Sequence, residues 1–398
     1  MNVDAPRRLR ILQVHNRYQK HGGEDNVCEA ERLLLQSNAC DVVTYTETNE
    51  RIAGTGRISA ALNATWSRAS YARVRKILRE SRFDLVHVHN FFPLVSPSVH
   101  HAARAEGVAT VQTLHNYRLF CAGATMVRDG AVCESCIGRH IPWPAIRHRC
   151  YRGSTAGSAA VAAMQVAHRW LGSWSRTTSA FIALSEFSRR KFIEFGLPAE
   201  KLLVKPNFLT TTPPVGEGRG GYALFVGRLS PEKGIATLLD AWRHLGGSLP
   251  LRVIGEGPEA PAVRAALAGS PGISWLGQRS SQEVARQMAG ASVLLFPSEW
   301  YEGCPLVLLE AFAAGTPVIA SRIGSAAEMV EEGRTGLFFQ PGNAAGLAAK
   351  VAWCFDNPHH LLAMRAQVRA SFEARYTAER NWTQLLSVYD RAMAASRQ

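Results

Sequence analysis

Short apolar runs rich in β-branched and aromatic residues recur along the chain, each followed by a stretch long enough for a helix. In the first half they are "LRILQVH" (9–15), "DVVTYT" (41–46), "FDLVHVH" (83–89), "VATVQTLH" (108–115), "AFIALS" (180–185) and "KLLVKPN" (201–207). In the second half they are "YALFVG" (222–227), "LRVIG" (251–255), "ISWLG" (273–277), "SVLLFP" (292–297), "PVIAS" (317–321) and "GLFF" (336–339). Runs without strict polar alternation, separated by helix-length segments, predict parallel strands buried on both faces. The stretch "LTTTPPVGEGRGG" (209–221) has no periodicity and reads as a linker. Near the end, Trp382, Leu385, Leu386, Tyr389 and Met393 fall at helical spacing, which predicts a docked terminal helix over 371–398. The expected architecture is α/β: two Rossmann-like, doubly wound domains, 1–208 and 222–370, facing each other across a cleft. In such sheets ligands sit beyond the carboxyl ends of the strands.

Length agrees with two cores, since 398 residues exceed what one ordinary domain buries. A 46% hydrophobic and 19% charged composition is globular rather than disordered. The net charge of +13 favours anionic partners: phosphorylated ligands, nucleic acid or an acidic membrane surface. The basic start "MNVDAPRRLRILQVHN", with only a short apolar run after it, does not read as a secretory leader, and "AGSAAVAAMQVA" is too short to span a bilayer. A cytoplasmic protein, at most peripheral to the membrane, is expected, with its eight cysteines mostly reduced.

Four glycine-bearing stretches carry candidate chemistry. "FVGRLSPEKGIATLLDAW" (225–242) reads as strand, tight turn and helix, with Ser230 at the N-cap and Pro231 in the first turn. Arg228 and Lys233 flank that helix start, and two cations at a positive helix end suit a di-anion such as pyrophosphate. "HNRYQKHGGEDNV" (15–27) follows the first strand similarly, and Gly22 and Gly23 allow close approach of a ligand to backbone. "VIGEGPEA" (253–260) gives G-x-G-x-x-A through Gly255 and Gly257, raising a dinucleotide reading. That reading lacks its acidic ribose ligand about 20 residues on. A lining role for these glycines in a nucleotide-base pocket remains open. In "SEWYEGCPLVLLEAF" (298–312), Glu302 and Glu310 flank a helix start at Pro305. With Pro305 at the first helical position, Glu310 lies about 7 Å further along the axis. Two carboxylates so placed suit the hydroxyls at both ends of a nucleotide sugar, a solvated pair, or a glycosidase acid and nucleophile.

Cys121, Cys133, Cys136 and Cys150 crowd into about thirty residues. One C-x-x-C with two outlying cysteines supplies either a structural thiolate zinc site or ordinary thiols with an accidental C-x-x-C. A zinc knuckle among Arg and His also raises a nucleic-acid-binding alternative. His115 ends a predicted strand, which places it at the sheet's ligand edge, whereas His87 and His89 alternate within a strand.

Together, "GRLSPEKG", "VIGEGP", "LGQRSSQEV" and the block "FPSEWYEGCPLVLLEAFAAGTPVIASRIGSAAEMVEEGRTGLFFQPG" (296–342) resemble the family-four retaining glycosyltransferases of the GT-B fold. "HGGED", "TLHNYRLFC", "ALSEFSRRKFIEFG" and "VKPNF" extend the likeness through the first half. The resemblance implies transfer of a hexosyl-type sugar from a nucleotide-diphosphate donor to a glycan or lipid-linked acceptor in cell-surface polysaccharide biosynthesis, with no metal needed for transfer. It implies that the terminal helix returns to the first domain. It also implies that Arg228 and Lys233 bind the diphosphate with backbone at Gly22 and Gly23, and that Glu302 holds sugar hydroxyls beside Gly303, Cys304, Pro305 and Leu306. Glu310 would hold the ribose, and His115 would contact the donor sugar near the reaction centre. The family's frequent Gly-Phe-Gly after the first glutamate is Gly303-Cys304-Pro305 here, which changes the loop that meets the sugar. Basic, aromatic-bearing stretches such as "RHIPWPAIRHRCYR" suggest an acceptor held near an anionic membrane, or merely solvated faces. An NAD-dependent oxidoreductase is the other rival class.

Overall fold

The computed structural model describes residues 8–17, 22–49, 57–247 and 249–396. It forms two compact units, the first from residues within 1–126, 134–206 and 381–398, the second from residues within 127–133 and 207–380.

The first unit is built on β1 (Arg10–Arg17), β2 (Asp41–Thr48), β3 (Leu85–Asn90) and β4 (Ala109–Leu114). After the hairpin β5 (Val127–Arg128) and β6 (Ala131–Val132), which falls in the second unit, the chain adds β7 (Ala180–Ala183) and β8 (Leu202–Val204). Six of these strands pair in the order β2-β1-β3-β4-β7-β8, and every pairing is parallel. The second unit's sheet uses β9 (Ala223–Val226), β10 (Leu251–Ile254), β11 (Ile273–Gly277), β12 (Val293–Phe296), β13 (Val318–Ser321) and β14 (Gly336–Phe339). Their order is β11-β10-β9-β12-β13-β14, again all parallel. Parallel ladders require crossovers, and helices covering both faces explain why β3, β4, β12 and β13 are buried along their whole length.

The order in which strands are added reverses between β1 and β3 in one sheet and between β9 and β12 in the other. Crevices open at such reversals because the following helices leave on opposite faces. The loops leaving β1, β9 and β12 are the glycine-bearing stretches singled out from the sequence.

One face of the first sheet is unusually polar. Gln13 and His15 alternate on β1, and His87 and His89 on β3, and all four are buried. The helix Gly23–Ser37 brings Asp25 and Glu31 to this network, and the last helix, Ala378–Ser396, brings Asn381 and Tyr389. Tyr389 Oη lies 2.8 Å from His87 Nδ1, and Asn381 donates to the Pro206 carbonyl, so the terminal helix docks on the first unit from Asn381 onward. Buried polar groups persist only when partnered. Here each of these side chains has at least one partner, in a network centred on the fully buried Glu31, whose Oε2 accepts from Lys205 Nζ at 2.8 Å.

Candidate active site

In the second unit, the turn after β9 runs Gly227 to Gly234 and then starts the helix Ile235–His244. Ser230 does not cap that helix. Its hydroxyl bonds Glu232 Oε1 at 2.6 Å, a 3-10 turn occupies Pro231–Lys233, and Gly234 stands at the cap with φ +71°. The sequence reading placed the helix one short turn too early, because the 3-10 turn also accepts Ser-Pro at its start. Glycine is required at 234 for two reasons. The backbone angle is left-handed, and a Cβ there would overlap the Pro297 carbonyl oxygen. The β9 and β12 loops therefore touch at the sheet's reversal.

That contact brings Lys233 to Glu302. Lys233 Nζ forms an ion pair with Glu302 Oε1, which also accepts from Trp300 Nε1 at 2.8 Å and Ser298 Oγ at 3.1 Å. Lys233 Nζ lies 5.5 Å from the Trp300 ring centre, adding a cation–π contact. Three donors on Oε1 fix the carboxylate, and among the described residues Oε2 has no hydrogen-bond partner. Arg228 is exposed and makes no ion pair among the described residues. The arrangement holds one restrained and one unrestrained cation beside a restrained carboxylate with an open oxygen.

The helix carrying Glu310 is Leu306–Ala313, and Pro305 is its N-cap rather than its first helical residue. Its φ of −70° and ψ of 122° put it half outside the helix, so the axial reach from Leu306 to Glu310 is about 6 Å. Burial raises the Glu310 carboxyl to about 7. Cys304 is buried and its carbonyl accepts from Asn207 Nδ2 at 2.8 Å, which ties the loop's shape to the start of the second unit's main segment. Gly255 has φ +140°, and a Cβ there would overlap the Gly227 carbonyl oxygen, while one at Gly257 would overlap that of Leu229. Both glycines let the β10 loop pack on the β9 turn, a use that needs no dinucleotide.

In the first unit, Gly22 is the N-cap of the helix Gly23–Ser37, and its N–H donates to Asp25 Oδ2 at 3.0 Å. Residues 18–21 of that glycine-bearing stretch lie outside the described residues. Asp25 Oδ1 sits 2.8 Å from His15 Nε2, and Glu24 accepts from Asn116 Nδ2 at 3.2 Å. Through Asn116 the helix start is joined to the end of β4, so Gly22, Gly23 and His115 share one edge of this sheet. His115 Nε2 lies 3.0 Å from His89 Nδ1. Burial, with His89 next to it, holds His115 well below the usual imidazole range.

Among the described residues, Glu31, His87 and His89 bring three ligand atoms within 4.8 Å. The Lys205 ammonium on the same carboxylate marks this as an ion-paired network rather than a cation site. Cys121, Cys133, Cys136 and Cys150 are half-buried, and the zinc expectation finds no support among the described residues. From sequence His115 stands out at a strand end, His87 and His89 lie within a strand, and Gln13, Glu31 and Lys205 are not singled out. The available signal was polar alternation on neighbouring strands, Gln13/His15 and His87/His89, where buried parallel strands are ordinarily apolar.

Residues 220–357 match the family model described as glycosyl transferases group 1, and residues 41–212 match glycosyltransferase family 4. An uncharacterised glycosyltransferase of Methanocaldococcus jannaschii is 33% identical over 143 residues, 35% of this chain and 40% of that protein. The amylovoran biosynthesis glycosyltransferase AmsK of Erwinia amylovora is 26% identical over 226 residues, 53% of this chain and 56% of that one. The chain thus spans about half the length of these relatives. Among solved structures, Anabaena HepE in complex with UDP superposes with TM-score 0.67 at 19% identity, covering 95% of this chain and 99% of that one. Sucrose-phosphate synthase of Thermosynechococcus elongatus gives TM-score 0.71 at 18% identity, covering 98% of this chain and 100% of that one. At such identities the superpositions speak to the fold.

Proposed function

The chain belongs to the group 1 glycosyltransferases of the GT-B fold, and from that premise we propose that it transfers a hexosyl-type sugar, with retention, from a nucleotide-diphosphate donor to a glycan or lipid-linked acceptor. The observation that carries the reading is the Lys233–Glu302 pair, held by Trp300 and Ser298 at the reversal of the second sheet, with Arg228 on the β9 turn and Glu310 on the helix that follows the β12 loop. Arg228 and Lys233 take the diphosphate, Glu302 the sugar hydroxyls and Glu310 the ribose, with residues 222–370 as the donor-binding part and 1–208 as the acceptor side. The bond between anomeric carbon and diphosphate oxygen breaks with its electron pair on the nucleotide. The acceptor oxygen bonds the carbon on the same face, and its proton leaves to the departing diphosphate or to water. Two cations offset the charge that develops on the leaving group, which is where preorganised electrostatics lowers a barrier most.

An acceptor presented at an anionic membrane is supported by one surface of the first unit. Ile141, Trp143, Trp170 and Leu171 are exposed, Trp170 to 78%. Arg139 lies over the Trp143 ring and its carbonyl accepts from Arg169, which joins the two stretches into one basic, aromatic face. Exposed tryptophan beside arginine suits the headgroup level of a bilayer. No helix among the described residues is long and apolar enough to cross a membrane.

The test is a thermal-shift panel of UDP-, GDP-, ADP- and dTDP-sugars on the wild type and Lys233→Ala. One nucleotide sugar is expected to raise Tm in the wild type, with affinity falling roughly tenfold or more in the variant. Absence of a shift with every nucleotide sugar would sink the transferase reading.

A further inference from the structure

We propose that Gln13 and His89 are positioning residues that fix the tautomer of His115, so that its Nδ1 carries the proton and offers a hydrogen-bond donor to a ligand oxygen. The functional part rests on the reading that His115 contacts the donor sugar, whereas the tautomer follows from the first unit alone.

The argument starts at an amide. Gln13 Nε2 lies 3.0 Å from the carbonyl oxygen of Cys28, on the helix Gly23–Ser37. A flipped amide would set oxygen against oxygen there, so nitrogen is fixed at this position. The same nitrogen lies 3.2 Å from His89 Nε2, and its second hydrogen points to a ring atom that must therefore be bare. Burial pushes the His89 imidazole down to about 4, so near neutrality the ring holds one proton. With Nε2 bare, that proton sits on Nδ1, 3.0 Å from His115 Nε2. His115 Nε2 accepts it, and His115, also neutral, keeps its own proton on Nδ1. The bond made by one ring nitrogen thus decides what the other offers.

A competing acceptor exists. Glu31 Oε1 lies 3.2 Å from His89 Nε2 and would demand the opposite tautomer. Yet neither this contact nor that of His87 Nδ1 with Oε1 at 2.9 Å has acceptable hydrogen-bond geometry, and the charge of Glu31 is met at Oε2 by Lys205. The rings are also held in place, His87 on His89 at 4.4 Å and His89 on His115 at 5.3 Å between centroids. Among the described residues His115 Nδ1 makes no hydrogen bond, which leaves it for a ligand. A donor there recognises a hydroxyl or carbonyl oxygen and does not act as a base.

Long-range proton–nitrogen NMR of histidine-labelled full-length protein, with His115→Ala for assignment, reads the tautomer directly. The expected spectrum shows His115 protonated at Nδ1 only near neutral pH. A ring protonated at Nε2, or at both nitrogens, overturns the proposal. Two near-isosteric variants separate positioning from packing. His89→Asn keeps a donor where Nδ1 stands and is expected to leave the His115 spectrum unchanged. His89→Gln moves the donor to the Nε2 position and is expected to release the tautomer. Turnover in water of the nucleotide sugar that gives the largest thermal shift is then expected to keep its KM in both variants. Its kcat should fall roughly 10- to 100-fold in His89→Gln alone. Equal spectra and equal kcat in the two variants, at equal Tm, would refute the role of His89. Full turnover in His115→Ala with the wild-type tautomer as stated would instead refute the reading of His115 as a sugar contact.

Discussion

Removing the ammonium of Lys205 tests the polar core beneath the site. Lys205 and Glu31 are 1% and 0% exposed, and Nζ–Oε2 is 2.8 Å, so Lys205→Met strands a carboxylate in the interior. At an effective dielectric near 20, the attraction at that separation is roughly 6 kcal/mol gross. Most of it offsets desolvation of the two charges, so truncating one partner is expected to cost about 3–5 kcal/mol. Asn381 Oδ1, 3.0 Å from Nζ, loses its donor as well. For a unit of this size the loss lowers Tm by roughly 10 °C. The pH dependence identifies the cause. Burial alone pushes the Glu31 carboxyl up, but Lys205 and the neighbouring His87 and His89 bring it well below its unfolded value of 4.5. Its stabilising contribution is therefore present above pH 4.5 and is lost as pH falls through the folded value. In Lys205→Met the largest opposing charge is gone and only His87 and His89 act against burial, so the folded value is expected to rise above 4.5 and the penalty to grow as pH rises. Urea denaturation at pH 7.5 and pH 4.5 should show a smaller gap between wild type and variant at the second pH, because the variant's own penalty vanishes there while the wild type keeps most of its contribution. Adding Glu31→Gln should recover most of the loss. A destabilisation below about 1 kcal/mol, one independent of pH, or one that Glu31→Gln does not relieve would refute the reasoning.

Burial holds Glu310 up at about 7, so donor affinity is expected to rise between pH 6 and pH 8 as the carboxylate forms, and Glu310→Gln should abolish that slope in a titration followed by fluorescence or calorimetry. Because the folded value exceeds the unfolded 4.5, ionising Glu310 costs stability increasingly from pH 4.5 to about 7; Glu310→Gln should raise Tm at pH 8 and leave it unchanged at pH 4.5. Trp143→Ser with Trp170→Ser should reduce sedimentation with vesicles of phosphatidylglycerol and phosphatidylcholine, without moving Tm by more than about 2 °C. Equal sedimentation of both proteins would remove the proposed membrane face.

Much of this protein is decided by the chain itself. Twelve apolar runs mark the two six-stranded sheets, because strands buried on both faces must be apolar almost throughout. The spacing of Glu302 and Glu310 is likewise local, set by one loop and one helix. Other features depend on strand order, which no local pattern encodes. Lys233 meets Glu302 across 69 residues only because β9 and β12 are neighbours at the sheet's reversal. Gly255 and Gly257 read as a dinucleotide turn in isolation, yet the β9 turn beside them is what excludes a side chain. Ser230 and Pro305 misplaced two helix starts by a few residues, since a 3-10 turn and an N-cap tolerate the same residues as a first helical turn. The Glu31–Lys205 pair spans 174 residues, and its partners His87, Asn381 and Tyr389 come from a middle strand and the last helix. A polar residue in a strand announces that it needs a partner, but which partner it finds is decided by what folds over it. The tertiary structure made that choice, and with it the proton on His115.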